Sequence, residues 1–156
     1  MKTLLILVGK TTDKHFQAGI NDYVERISHY MPFELSTIPE LKNTKSLSEE
    51  QQKTAEGELI LKQLQPSDTV VLLDEHGKEF RSIEFARWLE LKRNTARRLV
   101  FIIGGPYGFS QSVYARANEQ LSLSKMTFSH QMIRLVFTEQ VYRACTIIKG
   151  EPYHHE

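Results

Sequence analysis

The sequence predicts an α/β fold, a mainly parallel sheet with helices on both faces. Two observations carry this. Apolar runs at residues 3–8, 69–73 and 99–103 lack the polar alternation of a half-solvated strand. Between them, apolar residues recur every three or four positions, the spacing of helices that bury one face. Buried strands interleaved with amphipathic helices form a sheet covered on two sides.

The elements follow in order. Residues 3–8 form a buried strand. From Asp13 to about Tyr30, Phe16, Ile20, Tyr23, Val24 and Ile27 lie at helical spacing, and Pro32 stops the helix. Phe33, Leu35 and Thr37 alternate with polar neighbours as a second strand, and residues 39–47 are a polar loop. Ser48 with Gln51 three places on makes a capping box for a helix packing Ala55, Leu59, Ile60 and Leu64. Pro66-Ser67 breaks that helix before the strand at 69–73, and residues 75–78 (EHGK) read as a turn. Ser82 caps the next helix, which turns Ile83, Ala86 and Leu89 inward, and the strand at 99–103 runs into the glycine-rich loop 104–108. Ser110 caps a short helix ending near Asn118, and Leu121 and Leu123 mark a fifth strand. The last helix spans about His130 to Lys149 with the stripe Ile133, Val136, Phe137, Val141, Ala144 and Ile148, and Gly150 is its stop.

Composition narrows the function classes. With 156 residues, 40% of them hydrophobic, and no linker or repeat, the chain reads as one domain over residues 1–156. One cysteine excludes an internal disulfide. The apolar run at the start is too short for a membrane span or a secretion signal, so a cytoplasmic protein is expected. Net charge is +1, but residues 1–78 carry −3 and residues 79–156 carry +4, with eight of nine arginines in the second half. Arginine forks match phosphates, so an anionic ligand belongs to that half.

In open α/β sheets ligands sit beyond the carboxyl ends of the strands, so the loops after Leu73, Ile103 and Leu123 should form the site. The stretch Val8-Gly9-Lys10-Thr11 lacks the first glycine of a phosphate-binding loop, and the residues before it are strand. The loop Gly104-Gly105-Pro106-Tyr107-Gly108 lets a flat ligand approach main-chain groups. It is not the dinucleotide fingerprint. Apolar and hydroxyl residues from Leu123 to Phe128 could wall an adenine. On the last helix, Arg134, Glu139, Gln140, Tyr142 and Arg143 read as an exposed, ion-paired face, and Cys145 as a packed thiol. His15, His29 and His76 read as surface residues, and no group has metal-ligand spacing. The ending Glu151-Pro152-Tyr153-His154-His155-Glu156 follows a helix stop directly and suggests a terminus that docks.

Three segments together, IIGGPYG, LSLSKMTFSHQMIRLVFTEQVYRA and KGEPYHH, resemble one family closely. It is the RlmH family, the smallest SPOUT-class RNA methyltransferases. The resemblance extends to the VGK and LLDEHGK segments and covers essentially the whole chain. Family members commonly carry proline where this chain has Ser129, a departure expected to loosen the loop. The resemblance implies a trefoil knot near the C-terminus and a homodimer built partly on the first and last helices. It implies methyl transfer from S-adenosylmethionine to N3 of a pseudouridine in 23S ribosomal RNA of the assembled ribosome, with no metal and no membrane. The cofactor residues it implies are Leu73, Gly104, Leu123, Ser124, Lys125, Met126, Thr127 and Phe128. His154 is the implied general base or base-positioning group, Tyr153 stacks on or hydrogen-bonds the target base, and Arg143 stabilises charge or holds a phosphate. Two other classes stay open on the residues alone. One is a non-catalytic RNA- or ribosome-binding module; the other is a metabolic enzyme on a flavodoxin-like sheet.

Overall fold

The computed structural model describes residues 2–155; Glu156, the last residue of the tail, lies outside them. Five strands, β1 (Lys2–Val8), β2 (Phe33–Ile38), β3 (Thr69–Glu79), β4 (Arg98–Ile103) and β5 (Glu119–Ser122), form one sheet in the order β2-β1-β4-β3-β5. Every pairing is parallel. The helices are α1 (Lys14–Ser28), α2 (Glu49–Lys62), α3 (Ser82–Thr95), α4 (Gln111–Arg116) and α5 (Met132–Lys149).

The apolar runs divide by the two-residue period of a strand. Leu5, Leu7, Val71, Leu73, Phe101 and Ile103 face one way and pack with α1, α3 and α5. Leu4, Ile6, Val70, Leu72, Val100 and Ile102 face the other way and meet α2 and α4. Both faces being covered is why these strands show no polar alternation. Asp13 caps α1 from its side chain, Ser48 and Gln51 make the full capping box of α2, and Gly150 ends α5 at φ 75°.

Four local expectations are corrected. In β2 it is Ile38 that is buried and Thr37 that is exposed, because this edge strand meets helices on both faces rather than presenting one polar face. Residues 75–78 are no free turn; they continue β3 beyond a register shift after Leu73, and Lys78 pairs with Leu121. Gly77 permits this, since a Cβ there would come within 2.6 Å of the Leu121 nitrogen. The cap of α3 is Arg81, with Ser82 the first helical residue, because Glu84 reaches back to the Arg81 nitrogen at 2.8 Å. Leu123 falls just past β5, in the loop that follows.

The largest correction is Arg134, which is fully buried rather than exposed. Its guanidinium donates to the Val8 carbonyl at 2.7 Å, the Gly9 carbonyl at 2.9 Å and the Thr11 hydroxyl at 2.9 Å. Burial lowers its pKa, and Glu40 offsets part of that. Beside it, Gln131 donates to the Lys10 carbonyl at 3.1 Å and accepts from the Thr12 nitrogen at 2.7 Å. The start of α5 is thus tied to the carboxyl end of β1 by charge-assisted bonds. Ser129, standing where relatives carry proline, adds a bond at the same junction: its hydroxyl accepts from the nitrogen of Met132, the first residue of α5, at 3.0 Å.

Cys145 is buried as expected, and burial pushes its thiol up to about 11. A thiol-labelling reagent at pH 8 should leave it unmodified in the folded chain and label it fully in denaturant; rapid labelling of the native protein would contradict this packing. Arg134→Met keeps much of the side-chain volume but leaves two buried carbonyls without their donors. It should lower the unfolding free energy by about 3 kcal/mol, measured by denaturant titration.

Candidate cofactor cavity and tail cluster

Because all strands run one way, their carboxyl ends share one rim, and the loops after β3, β4 and β5 meet there. Between them lies a cavity of about 450 Å³, within the range of small-ligand sites. Leu73, Gly104, Leu123, Ser124, Met126, Thr127 and Phe128 all line it. Lys125 is the one expected cofactor residue that does not, and its side chain is exposed.

Local chemistry shapes each wall. In the loop after β5, the Ser124 hydroxyl accepts from the Met126 nitrogen at 3.0 Å, and the Ser122 hydroxyl donates to the Ser124 carbonyl at 2.9 Å. These short-range bonds hold an irregular backbone without a strand partner. Met126 is left 78% exposed at the rim, an apolar side chain standing in solvent. At Gly104 a Cβ would approach the Phe109 ring to 3.0 Å, so backbone and ring sit closer than a side chain permits.

Sequence reasoning missed several residues here. Asp74 accepts from the His76 backbone nitrogen at 2.9 Å and from the Tyr114 hydroxyl. Burial and the Asp74 carboxylate raise the Tyr114 pKa, so its phenol stays a donor. Asp74, His76 and Tyr114 all line the cavity, so His76, although exposed as expected, stands at its mouth. Beneath the glycine loop lies Glu56, a buried residue whose carboxylate a Cβ on Gly105 would approach to 3.2 Å. Burial raises its pKa above the ordinary carboxylate range, against a lowering hydrogen bond from Gln52. The signals existed: Glu56 precedes Ile60 by four residues, and Arg134 precedes Phe137 and Val141 by three and seven, the buried faces of their helices.

The other expected residues gather elsewhere, on α5 and the tail. Glu139 Oε1 accepts from Arg143 Nε at 2.9 Å and Nη2 at 2.6 Å, and from the Tyr153 hydroxyl at 3.2 Å. Arg143 Nη1 lies 3.1 Å from His154 Nδ1, and its guanidinium covers the Tyr153 ring at 4.8 Å. Burial, with Tyr23 and Glu139 nearby, pushes the Tyr153 phenol up to about 12. Farther back, Tyr30 donates to the Glu151 carboxylate at 2.7 Å. The terminus is therefore docked on α1 and α5, as its composition suggested.

None of Arg143, Tyr153 and His154 lines the cavity of its own chain. Ile133 does, and Arg143 follows it by ten residues, about 15 Å along a helix. The two clusters are thus joined by one rigid element and separated along it. Among the described residues no helix is long and apolar enough to cross a membrane, and no group of three or more His, Cys, Asp or Glu could hold a metal ion.

The sequence model described as "Predicted SPOUT methyltransferase" matches residues 1–154. Curated proteins named "Ribosomal RNA large subunit methyltransferase H" are similar over the full length of both chains. Those of Bacteroides fragilis, Phocaeicola vulgatus and Porphyromonas gingivalis are 68%, 66% and 55% identical, each over 100% of either chain. A match of that extent, on an all-parallel sheet with its cavity at the carboxyl rim, means that the chain belongs to the SPOUT methyltransferase family, whose trefoil knot comes with membership.

Proposed function

We propose that this chain transfers a methyl group from S-adenosylmethionine to N3 of a pseudouridine in the large-subunit ribosomal RNA, acting on assembled ribosomes in the cytoplasm as a homodimer. The single observation that carries the reading is the cavity walled by three strand-end loops. The full-length similarity to proteins named as ribosomal RNA methyltransferases supports the class of substrate.

The residues present fit the methyl donor. Gly104 opens a main-chain cradle against Phe109, Leu73 and Leu123 offer apolar walls for a flat purine, and Ser124 to Phe128 present backbone and hydroxyl groups to its edge. When bound, the donor supplies a methyl on a sulfonium sulfur, which needs alignment rather than activation. The Asp74 carboxylate, held by Tyr114 and His76, is placed to receive a cationic portion of the ligand.

The harder task is the nucleophile, because pseudouridine N3 carries a proton. The tail residues suit it. Arg143 brings a permanent positive charge, Tyr153 keeps its proton and can donate or stack, and His154 positions or deprotonates the base. Since the tail cluster stands about 15 Å along α5 from its own cavity, a second copy is the natural source of the tail for each cavity. Exposed Met126, Tyr107 and Met132 around the rim leave apolar surface for that copy or for RNA.

Calorimetry on the purified protein should detect S-adenosylmethionine binding without RNA; no heat at millimolar cofactor would overturn the cavity assignment. Gly104→Val should weaken that binding by at least about tenfold, as its side chain meets Phe109. His154→Ala should spare cofactor affinity and lower turnover on ribosomes at least about a hundredfold. Mixing these two variants, at a cofactor concentration too low to fill the Gly104→Val cavity, should restore part of the turnover, because one chain then contributes an intact cavity and the other an intact tail. Turnover that stays absent in mixtures of proven heterodimers would reject the shared site.

A further inference from the structure

The main cavity has a one-sided charge. Of the described residues that line it, Asp74 and Glu75 bring carboxylates, and none is a lysine or arginine. Its other ionisable side chains are the imidazoles of His76 and His130 and the phenols of Tyr107 and Tyr114. The two carboxylates are not equivalent. The Glu75 side chain is 53% exposed, so water screens it. That of Asp74 is only 9% exposed, at the end of the buried run of β3. Its Oδ1 accepts from the His76 main-chain nitrogen at 2.9 Å and its Oδ2 from the Tyr114 hydroxyl. Both bonds favour the ionised carboxyl. A carboxylate has about four acceptor positions, so these two donors leave it able to meet a ligand.

His76 sits against both carboxylates. Its Nδ1 lies 3.2 Å from Asp74 Oδ1 and its Nε2 3.9 Å from Glu75 Oε1, while the ring itself stays exposed at the cavity mouth. An imidazole that takes up a proton in that position sets a positive charge beside the two acids. It cancels one of the two negative charges that the cavity otherwise carries.

We propose that Asp74 selects the methyl donor by charge, favouring the sulfonium form over the spent, uncharged thioether, and that protonated His76 weakens this preference. The proposal rests on the methyltransferase reading above. In methyl transfer the sulfur–methyl bond breaks with its electron pair kept by sulfur, and the methyl joins N3 of the base once N3 has lost its proton. The ligand left in the cavity, S-adenosylhomocysteine, therefore carries one positive charge less than the one that entered. Walls that hold the adenosine and the amino-acid end hold both ligands alike; the charge at sulfur separates them. An oriented carboxylate largely shielded from water can read that charge, because a charge pair gains more in a water-poor site than in bulk water. The spent ligand then leaves more readily than the donor, and a fresh donor replaces it.

Calorimetry on the whole purified protein reads this without RNA. At about pH 7.5, where imidazoles are ordinarily neutral, S-adenosylmethionine should bind at least about tenfold more tightly than S-adenosylhomocysteine; equal affinities would overturn the proposal. Sinefungin, which carries a protonated amine in place of the sulfonium, should bind closer to the donor than to the thioether. Binding as weak as that of the thioether would mean that the methyl and not the charge is read. These measurements need no variant. Asp74→Asn keeps the shape and removes the charge, so it should loosen the donor about tenfold and the thioether less than about twofold. An equal loss for both ligands, or a selectivity that survives, would take charge selection away from Asp74. The pH dependence is followed as the ratio of the two affinities, because the α-amino group belongs to both ligands and cancels. The groups facing Asp74 are Glu75 and His76 from β3 and Tyr114 from α4, with Tyr107 and His130 elsewhere on the cavity wall. Carboxyl and phenol groups ordinarily keep one charge state between about pH 5.5 and 7.5, whereas imidazoles lose their proton there. The ratio in the wild-type chain should therefore rise severalfold across that span, and a flat ratio would overturn the part given to His76. His76→Asn should hold the ratio at its high value throughout; a step that persists would assign it to His130 and overturn the same part. A chain that binds neither ligand would defeat the methyltransferase reading itself, a result distinct from binding both without preference.

Discussion

The placement of α5 by the buried guanidinium of Arg134 is the constraint on which both halves of the site depend. A fully buried charge needs polar partners, and here the end of β1 supplies two carbonyls and Thr11 a hydroxyl to the two terminal nitrogens, while Nε is left without one. The next residue toward the amino terminus, Ile133, walls the cavity. Five residues beyond Arg134 comes Glu139, and nine beyond it Arg143. A single helix thus carries the cavity wall at one end and the tail's dock at the other, so the position of both follows from one buried anchor.

The two clusters differ in how they are ordered. The cavity is built from loops whose backbone is held by short local bonds, as at Ser122 and Ser124, and by close packing at Gly104. Loops of this kind can adjust to a ligand at modest cost. The tail is ordered by charge instead. Arg143 sits between Glu139 and His154 and over the ring of Tyr153, so every chemically useful group there touches the same guanidinium. That arrangement sets the relative positions of those groups around one guanidinium.

Much of the fold was legible before any coordinates. Apolar runs without alternation point to strands buried on both faces, and the two core clusters fall on opposite sides of those strands. Capping chemistry at Asp13, Ser48, Ser110 and Gly150 marks helix ends because it is local, needing only residues three or four apart. Where expectation failed, a distant partner decided. Thr37 and Ile38 exchange places because an edge strand here meets helices on both faces. Residues 75–78 look like a turn in isolation and become strand because β5 pairs with them across a bulge.

By itself, the sequence determined the class of the fold, the three loops that meet at the rim and the family, since periodicity, caps and motifs are properties of neighbouring residues. Only the tertiary structure decided what Arg134 pairs with in the interior, that Glu56 lies beneath the glycine loop, that Lys125 does not line the cavity and that Glu139 binds Arg143 and Tyr153 of the tail. Each of those depends on what a charged side chain finds at the end of its reach, and for Arg134 that partner is more than a hundred residues away in the chain. Helical spacing marks the buried faces on which Arg134 and Glu56 fall, but it carries no trace of the distant groups they meet, so those partners are read from the folded molecule.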